Sequence, residues 1–573
     1  MKDKLNLVFY FLKKTWLILL VIVIVAVAGI ASIEIYREEV LNIDPNVEYK
    51  TSGTLYLSCE PLDTLNPLLS QSEDVYHLSK LIYNSLFDYD DNLNVVPELV
   101  DEYTVDTNRG KVTLTLKEGI RWHNGKKLTA SDVSYTVNAI KYAGKDSLYY
   151  ETASKISYIY VRDTYKLEIY FRNAYDASLD DLTFPILPAS QFSSAAQLAL
   201  AEDGFKPVGT GQYQYQSYNY LKQLRLKPNE EYWAAVASKK LKVMILPEKE
   251  LSSNMLEIDS VTCYVDTTAE RRSTVIDKNL IMYDIITNDV EFLIFHPKSK
   301  ILSEKKMRHA VALSIHEQGV LDNGYMGDGV LTDTIYYPGF CGVADEGTYY
   351  TYNADAATEL FKELGYKDRN GDNIREDKTG KNLEISIAVN KKNATRLAAA
   401  RLIKKDLETA GLKVTLDELT WDEYKRAITA GKHDIIVAGF SINEQYDLRE
   451  FFNGKNQWKY YNNELLSLAG EMERLHTTEE YKQIYAELKA ALMEELPYYS
   501  LCYRKAGLVG VSGFSAGKTP LFNDYYRNIE TWSWTYIVEQ QPVEGQGTGK
   551  NIDSVPKDPG AEETGAEETG AEE

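Results

Sequence analysis

A chain of 573 residues, 44% of them hydrophobic, is too long for one core and calls for two or three domains. Its formal charge of -22 at pH 7 excludes a basic grip on nucleic acid and a polybasic dock on anionic lipid. Part of that excess lies at the far end, where nine acids face two lysines from Gln541 onward and repeated GAEET units offer almost nothing apolar to bury; residues 539–573 read as a disordered acidic tail.

At the near end, residues 16–33 run without a charge, about 27 Å as a helix and close to the hydrocarbon thickness of a bilayer. Lys13 and Lys14 precede this run and Glu34, Glu38 and Glu39 follow it. That asymmetry keeps residues 1–15 in the cytoplasm and places everything after Tyr36 outside. Residues 16–36 therefore read as a transmembrane anchor, with a signal peptide cut at Ala26-Val27-Ala28 as the alternative; either exports the bulk of the chain. Residues 37–52, with Asp44-Pro45-Asn46, make a stalk. The four cysteines, Cys59, Cys263, Cys341 and Cys502, show no CxxC spacing, so zinc and thiol-redox chemistry are not indicated. Three disulfide pairings, or free buried thiols, stay open.

A first strand at 53–58 leads into the turn Pro61 to Pro67, and 75–87 has helical spacing through Val75, Leu78, Ile82 and Leu86. Alternation at Val112, Leu114 and Leu116 predicts a half-buried strand. Asn124-Gly125 then suits a tight hairpin, and Thr129 or Ser131 with Asp132 starts a helix whose Val133, Val137 and Ile140 share a face. Strands follow at 156–161 and 165–171. Gly209 and Gly211 lack the rest of a phosphate-loop pattern and read as a point of close backbone approach. After a strand at 290–295, Ser303 is expected to cap a helix over 303–316. His309 and His316 lie seven apart on it, without a third ligand to make a metal site. Residues 368–376 place oxygen ligands at alternate positions, but Gly371 comes two positions early for an EF-hand loop and position twelve is Thr379, so a polar turn is expected. Strand 383–389, helix 395–410, strand 413–416, helix 422–430 and strand 434–440 then alternate, as in a mainly parallel sheet. A helix over 478–495 precedes a returning strand at 496–503.

The segment LKEGIRWHNGKKLTASDVSYT, residues 116–136, resembles the one that marks the peptide/nickel type of extracytoplasmic solute-binding proteins, which feed ABC transporters. Leu65-Asn66-Pro67, Val96-Pro97-Glu98-Leu99, Pro207-Val208-Gly209-Thr210-Gly211, Asn229 to Trp233 and the Leu496-Pro497 step match that family in order, covering about residues 53–538. The resemblance implies an α/β, two-lobed periplasmic-binding-protein-like fold of type II, in its large three-domain variety. Lobe I would comprise 53–91, 193–295 and 497–538, with 92–192 as its accessory subdomain, and lobe II 296–496. Two backbone passes near Phe295 and Leu496 would join the lobes around a cleft.

It further implies capture of a small solute, a peptide among the candidates, and delivery to an ABC permease by a membrane-tethered monomer with no cofactor. A membrane-anchored sensor or adhesin with the same fold is the alternative. No enzyme is expected, since there is neither GxSxG nor HExxH and the seven histidines are scattered. Ligand contacts are expected from Leu65 and Asn66 and from the end of the 434–440 strand: Phe440, Asn443, Glu444, Tyr446 and Asp447. In peptide-binding relatives a Trp-x-x-Asp-Tyr run there sets an aspartate against the peptide's amino terminus. Here Phe440 and Asn443 stand in those places. An amide leaves a buried ammonium uncompensated, so peptide binding would rest on Glu444.

Overall fold

The strand, hairpin and helix written around residues 112–140 form as read. Val112, Leu114 and Leu116 are buried along strand Lys111–Leu116, and Gly125 takes a φ of 80° in the hairpin. Thr129 caps helix Ala130–Ala143 in a capping box: the Asp132 carboxylate accepts from the Thr129 amide at 2.8 Å and from its hydroxyl at 3.0 Å. Val133, Val137 and Ile140 are all buried. The strand belongs to a four-stranded antiparallel sheet in the order Val100–Asp106, Lys111–Leu116, Lys166–Phe171, Ile156–Val161.

The computed structural model describes residues 49–537 apart from 174–177, 203, 249–250, 259, 269–270, 341–349, 443–446 and 473–477. The expected anchor at 16–36, most of the stalk, the tail 539–573 and Cys341 lie outside the described residues. No helix among the described residues is long and apolar enough to cross a membrane. Cys59, Cys263 and Cys502 are buried, and Cys263 and Cys502 are free thiols.

An eleven-stranded sheet forms the spine of the molecule. At its centre two long strands, Ile281–Phe295 and Tyr498–Gly510, pair antiparallel. On one side lie Ile435–Ser441, Glu384–Asn390 and Lys413–Leu419; on the other lie Cys263–Asp266, Thr54–Cys59, Lys240–Ile245, Gln223–Pro228 and Tyr213–Asn219. The expected alternation of strands and helices is present to within a few residues, as Glu384–Asn390, Ala394–Thr409, Lys413–Leu419, Trp421–Ala430 and Ile435–Ser441, with parallel pairing between its strands.

Three expectations differ. The helix expected over 75–87 is Glu73–Ile82, and Phe87 starts a short strand instead. A tertiary contact sets that end: the Gly211 amide donates to the Ile82 carbonyl at 2.8 Å, which no propensity encodes. The helix expected over 303–316 is two, Lys305–Leu313 and Glu317–Gly324. Ser303 does not cap the first, its hydroxyl donating to the Lys300 carbonyl, while His316 caps the second by accepting from the Gly319 amide. His309 and His316 are thus on separate helices. Finally, the long strands extend well beyond 290–295 and 496–503. Polar residues such as Asp284, Asn288, Arg504 and Lys505 hide the alternation in sequence.

The hairpin and the two-glycine turn, far apart in sequence, meet at His123. Its Nδ1 accepts from the Gly209 amide at 3.1 Å and its Nε2 lies 3.0 Å from the Gly211 carbonyl. Only the neutral ring, protonated at Nε2, satisfies both partners. Burial lowers the His123 pKa to about 4, opposed by the Gly211 carbonyl and aided by the charge of Lys227. The stability that the neutral ring contributes is complete above the ordinary value of 6.5 and is lost as pH falls through about 4. We expect His123→Gln to remove on the order of 2 kcal/mol of the acid-side loss between those limits. Urea unfolding across that range checks it; an unchanged slope would discount the His123 contact.

Candidate functional site

Register decides where a solute could sit. Ile435 lies opposite Phe295 and Ser441 opposite Asp289, so this strand ends at the middle of Ile281–Phe295. On the other side Leu57 pairs with Cys263, Cys263 with Gly510 and Asp266 with Gly507, so Thr54–Cys59 points its carboxyl end toward the middle of Tyr498–Gly510. Parallel strands from both flanks therefore aim their carboxyl ends at one zone, the position at which open α/β sheets take ligands. At that zone the pairing of the two long strands slips, between Ile286 and Val290 and again between Glu291 and Phe292. Such bulges bend a sheet.

On the first flank, the turn after Cys59 is tied internally. Asp63 accepts from the Thr64 amide, the Ser70 hydroxyl and the Gln71 amide at 2.6 to 2.8 Å. Asn66 is fully buried; its amide nitrogen donates to the Leu198 and Ala201 carbonyls and its oxygen accepts from Leu68. Asn66 thus holds the turn, whereas Leu65 is half-buried at its surface. Beside it the rings of His77 and Tyr525 stack at 3.7 Å, and the Tyr525 hydroxyl donates to Glu73 at 2.9 Å. Burial, then the charge of Glu73 and more weakly that of Asp289, push the Tyr525 phenol up.

On the second flank, Asn288 donates to the Ile442 carbonyl at 2.6 Å and accepts from its amide through the backbone, while the Ser441 hydroxyl bonds Asp289. Phe440 is half-buried and meets Phe451 edge-on at 5.1 Å. Asp447 accepts from Arg449 Nε at 2.8 Å and from its terminal nitrogen at 2.6 Å. Burial opposes the Asp447 charge, but these bonds, with the charges of Arg449 and of Lys155 from the accessory region, hold its carboxyl below the usual range. Asn443, Glu444 and Tyr446 lie outside the described residues. Of the expected site residues, then, Phe440 lies near the end of strand Ile435–Ser441, Leu65 and Asp447 each lie six residues beyond a strand end, and Asn66 is buried in its own turn.

Sequence reasoning missed the charges around the long strands. Arg271 and Asp328, both fully buried, form a two-bonded pair, and Arg504 lies 3.5 Å from Asp328. Arg396 grips Glu291 through two bonds of 2.7 and 3.0 Å. Asp284 bonds Arg272 at 2.6 Å and Lys505 at 3.1 Å. Five cations thus surround three carboxylates; Nε of Arg271, of Arg272 and of Arg504 has no hydrogen-bond partner among the described residues, Arg272 Nε lying 3.9 Å from Asp328. The doublets Arg271-Arg272 and Arg504-Lys505 were the available signal.

Residues 94–460 match the family model of bacterial extracellular solute-binding proteins, family 5 Middle. The oligopeptide-binding protein AppA of Bacillus subtilis (strain 168) is 22% identical over 489 residues, covering 82% of this chain and 89% of that protein. The dipeptide-binding protein of Escherichia coli (strain K12) is 23% identical over 434 residues, 70% of this chain and 78% of that one. Among solved structures, that of a nickel ABC transporter from Bacillus halodurans aligns with a TM-score of 0.72 at 17% identity, covering 84% of this chain and 100% of the other. The two share a fold, the mixed α/β arrangement expected above.

Proposed function

Because the chain belongs to the bacterial extracellular solute-binding proteins of family 5, we propose that it captures a small solute between two lobes and delivers it to an ABC permease while tethered to the membrane by residues 16–36. The observation that carries this reading is the convergence of strand ends from both flanks on the bulged middle of the two long strands. A pair of strands bent at one level is a hinge about which two lobes can close. On this reading lobe I, with the accessory subdomain at 92–192, and lobe II meet at the bulges between Ile286 and Phe292, so the two crossings lie there and near Tyr503 and not near Phe295 and Leu496.

The guanidinium and ammonium groups of Arg272, Arg396, Arg504 and Lys505 beside the hinge support a solute that bears a carboxylate, as a peptide does. Leu65 and Phe440 supply apolar walls, Asn66 positions the first turn and Arg449 anchors Asp447; Asn443, Glu444 and Tyr446 are assigned to the ligand by the family's pattern. With Asn443 an amide, Glu444 is the group that would receive a ligand ammonium.

Native mass spectrometry of the protein from its own host is expected to show bound mass, a peptide ladder in the case of peptide ligands. Glu444→Gln is then expected to weaken binding at least about tenfold, the loss of one charge-assisted bond. Absence of retained mass together with no affinity for a peptide library would sink the proposal. Co-purification of a permease from membranes tests the delivery step separately.

A further inference from the structure

We infer that Asp368, Asp372 and Glu376 form a calcium site in lobe II, separate from the solute cleft. One oxygen of each of the three carboxylates lies within 4.8 Å of the others. Asp368 and Asp372 are exposed, but Glu376 is only 2% exposed. Its Oε2 accepts from the Arg369 amide at 2.8 Å, whereas its Oε1 is buried without a hydrogen-bond partner. A buried carboxylate that has one oxygen lacking a donor and is clustered with two further carboxylates is unfavourable unless a cation joins them.

The cations nearest in sequence do not fill that role. Arg369 directs its guanidinium to the carbonyls of Asp377 and Gly365. Arg375 directs its own to the Ala410 carbonyl and the Thr358 hydroxyl and lies over the Phe361 ring. Both arginines brace the loop and leave its acidic face to a metal.

The ligand chemistry is all oxygen, which suits a hard cation, and the irregular, partly exposed arrangement suits calcium better than magnesium, which demands a near-ideal octahedron. Counting for an EF-hand looks for an acid at the twelfth position; the fold instead brings in the ninth, Glu376. Backbone bonds in both directions with Lys367 hold that residue across the loop. The loop lies beside the amino-terminal end of strand Glu384–Asn390. That strand runs parallel to Ile435–Ser441, so the site is on the side of the sheet away from the cleft. Its metal would stabilise lobe II and would not be cargo.

Thermal unfolding of the full chain in about 1 mM calcium chloride, against the same protein in EDTA, tests this. The expected result is a rise of about 1 °C in the midpoint with calcium, given extracellular-type affinity. Glu376→Gln and Asp372→Asn should each abolish the rise, and Glu376→Gln should melt no lower than the parent in EDTA, because it removes an unpaired buried charge. Equilibrium dialysis should show one fewer bound calcium per chain in Glu376→Gln than in the parent, a comparison that discounts loose binding to the acidic tail. Equal midpoints of the parent in calcium and EDTA, or an equal rise in the parent and both variants, would overturn the site.

Discussion

Asp328→Ala is expected to cost about 4 kcal/mol of folding stability, because it strands Arg271 as an unpaired charge with no exposed surface. Arg271 lies on helix Arg271–Asp277, ahead of the first long strand, and Asp328 immediately precedes strand Gly329–Leu331, which pairs with the second. The pair therefore joins chain from both sides of the hinge level. Arg271→Met should cost less, since Asp328 keeps Arg504 at 3.5 Å. A double variant, Arg271→Met with Asp328→Leu, should recover much of the loss, because replacing a buried pair by apolar groups of similar volume is often neutral. Urea unfolding of the parent, Asp328→Leu, Arg271→Met and their combination forms a double-mutant cycle. A loss under about 1 kcal/mol for Asp328→Ala would mean that water reaches the Arg271 guanidinium and that the pair is not sealed as described.

Gly209→Ala should be comparably severe. A Cβ at this position would lie 1.7 Å from the Ile82 carbonyl oxygen and 2.6 Å from its carbon. Backbone at the end of a packed helix cannot step aside as a flexible side chain can, so the cost should reach about 3 kcal/mol or more. Gly211→Ala meets the same carbonyl carbon at 2.6 Å and should follow closely. The clash would also move the Gly209 amide off His123, so the part of the acid-side loss that comes from the neutral His123 ring should shrink as overall stability falls. A Gly209→Ala protein that unfolds at the parental urea midpoint would count against this account of the turn.

The parts of the fold legible in sequence are those whose signals are local. The capping box at Thr129 and Asp132, the Asn124-Gly125 hairpin and the buried alternation at Val112, Leu114 and Leu116 each need only neighbouring residues. The strands and helices between Glu384 and Ser441 were readable for the same reason, since each amphipathic period is complete within its own segment. The long strands were not. Ile281–Phe295 carries Asp284 and Asn288-Asp289 in its length, and those polar groups are tolerated because Arg272, Lys505, Ile442 and Ser441 reach them from other elements. Cys263–Asp266, a central strand of only four residues, has too short a period to register at all.

The candidate site divides in the same way. Phe440 and Asp447 could be named because strand ends in alternating α/β segments are predictable, and Leu65 because its Leu-Asn-Pro turn resembles the family's. That Asn66 would be used up in holding its own turn, and that Asp447 would be paired with Arg449, depends on contacts formed only after folding. From the amino acids alone came the family, the parallel half of the sheet and the direction of its strands. The hinge level, the buried charges around it and the oxygen cluster at Glu376 were decided by tertiary structure, because a charged or polar residue reads as solvent-facing until distant chain is brought to bury it.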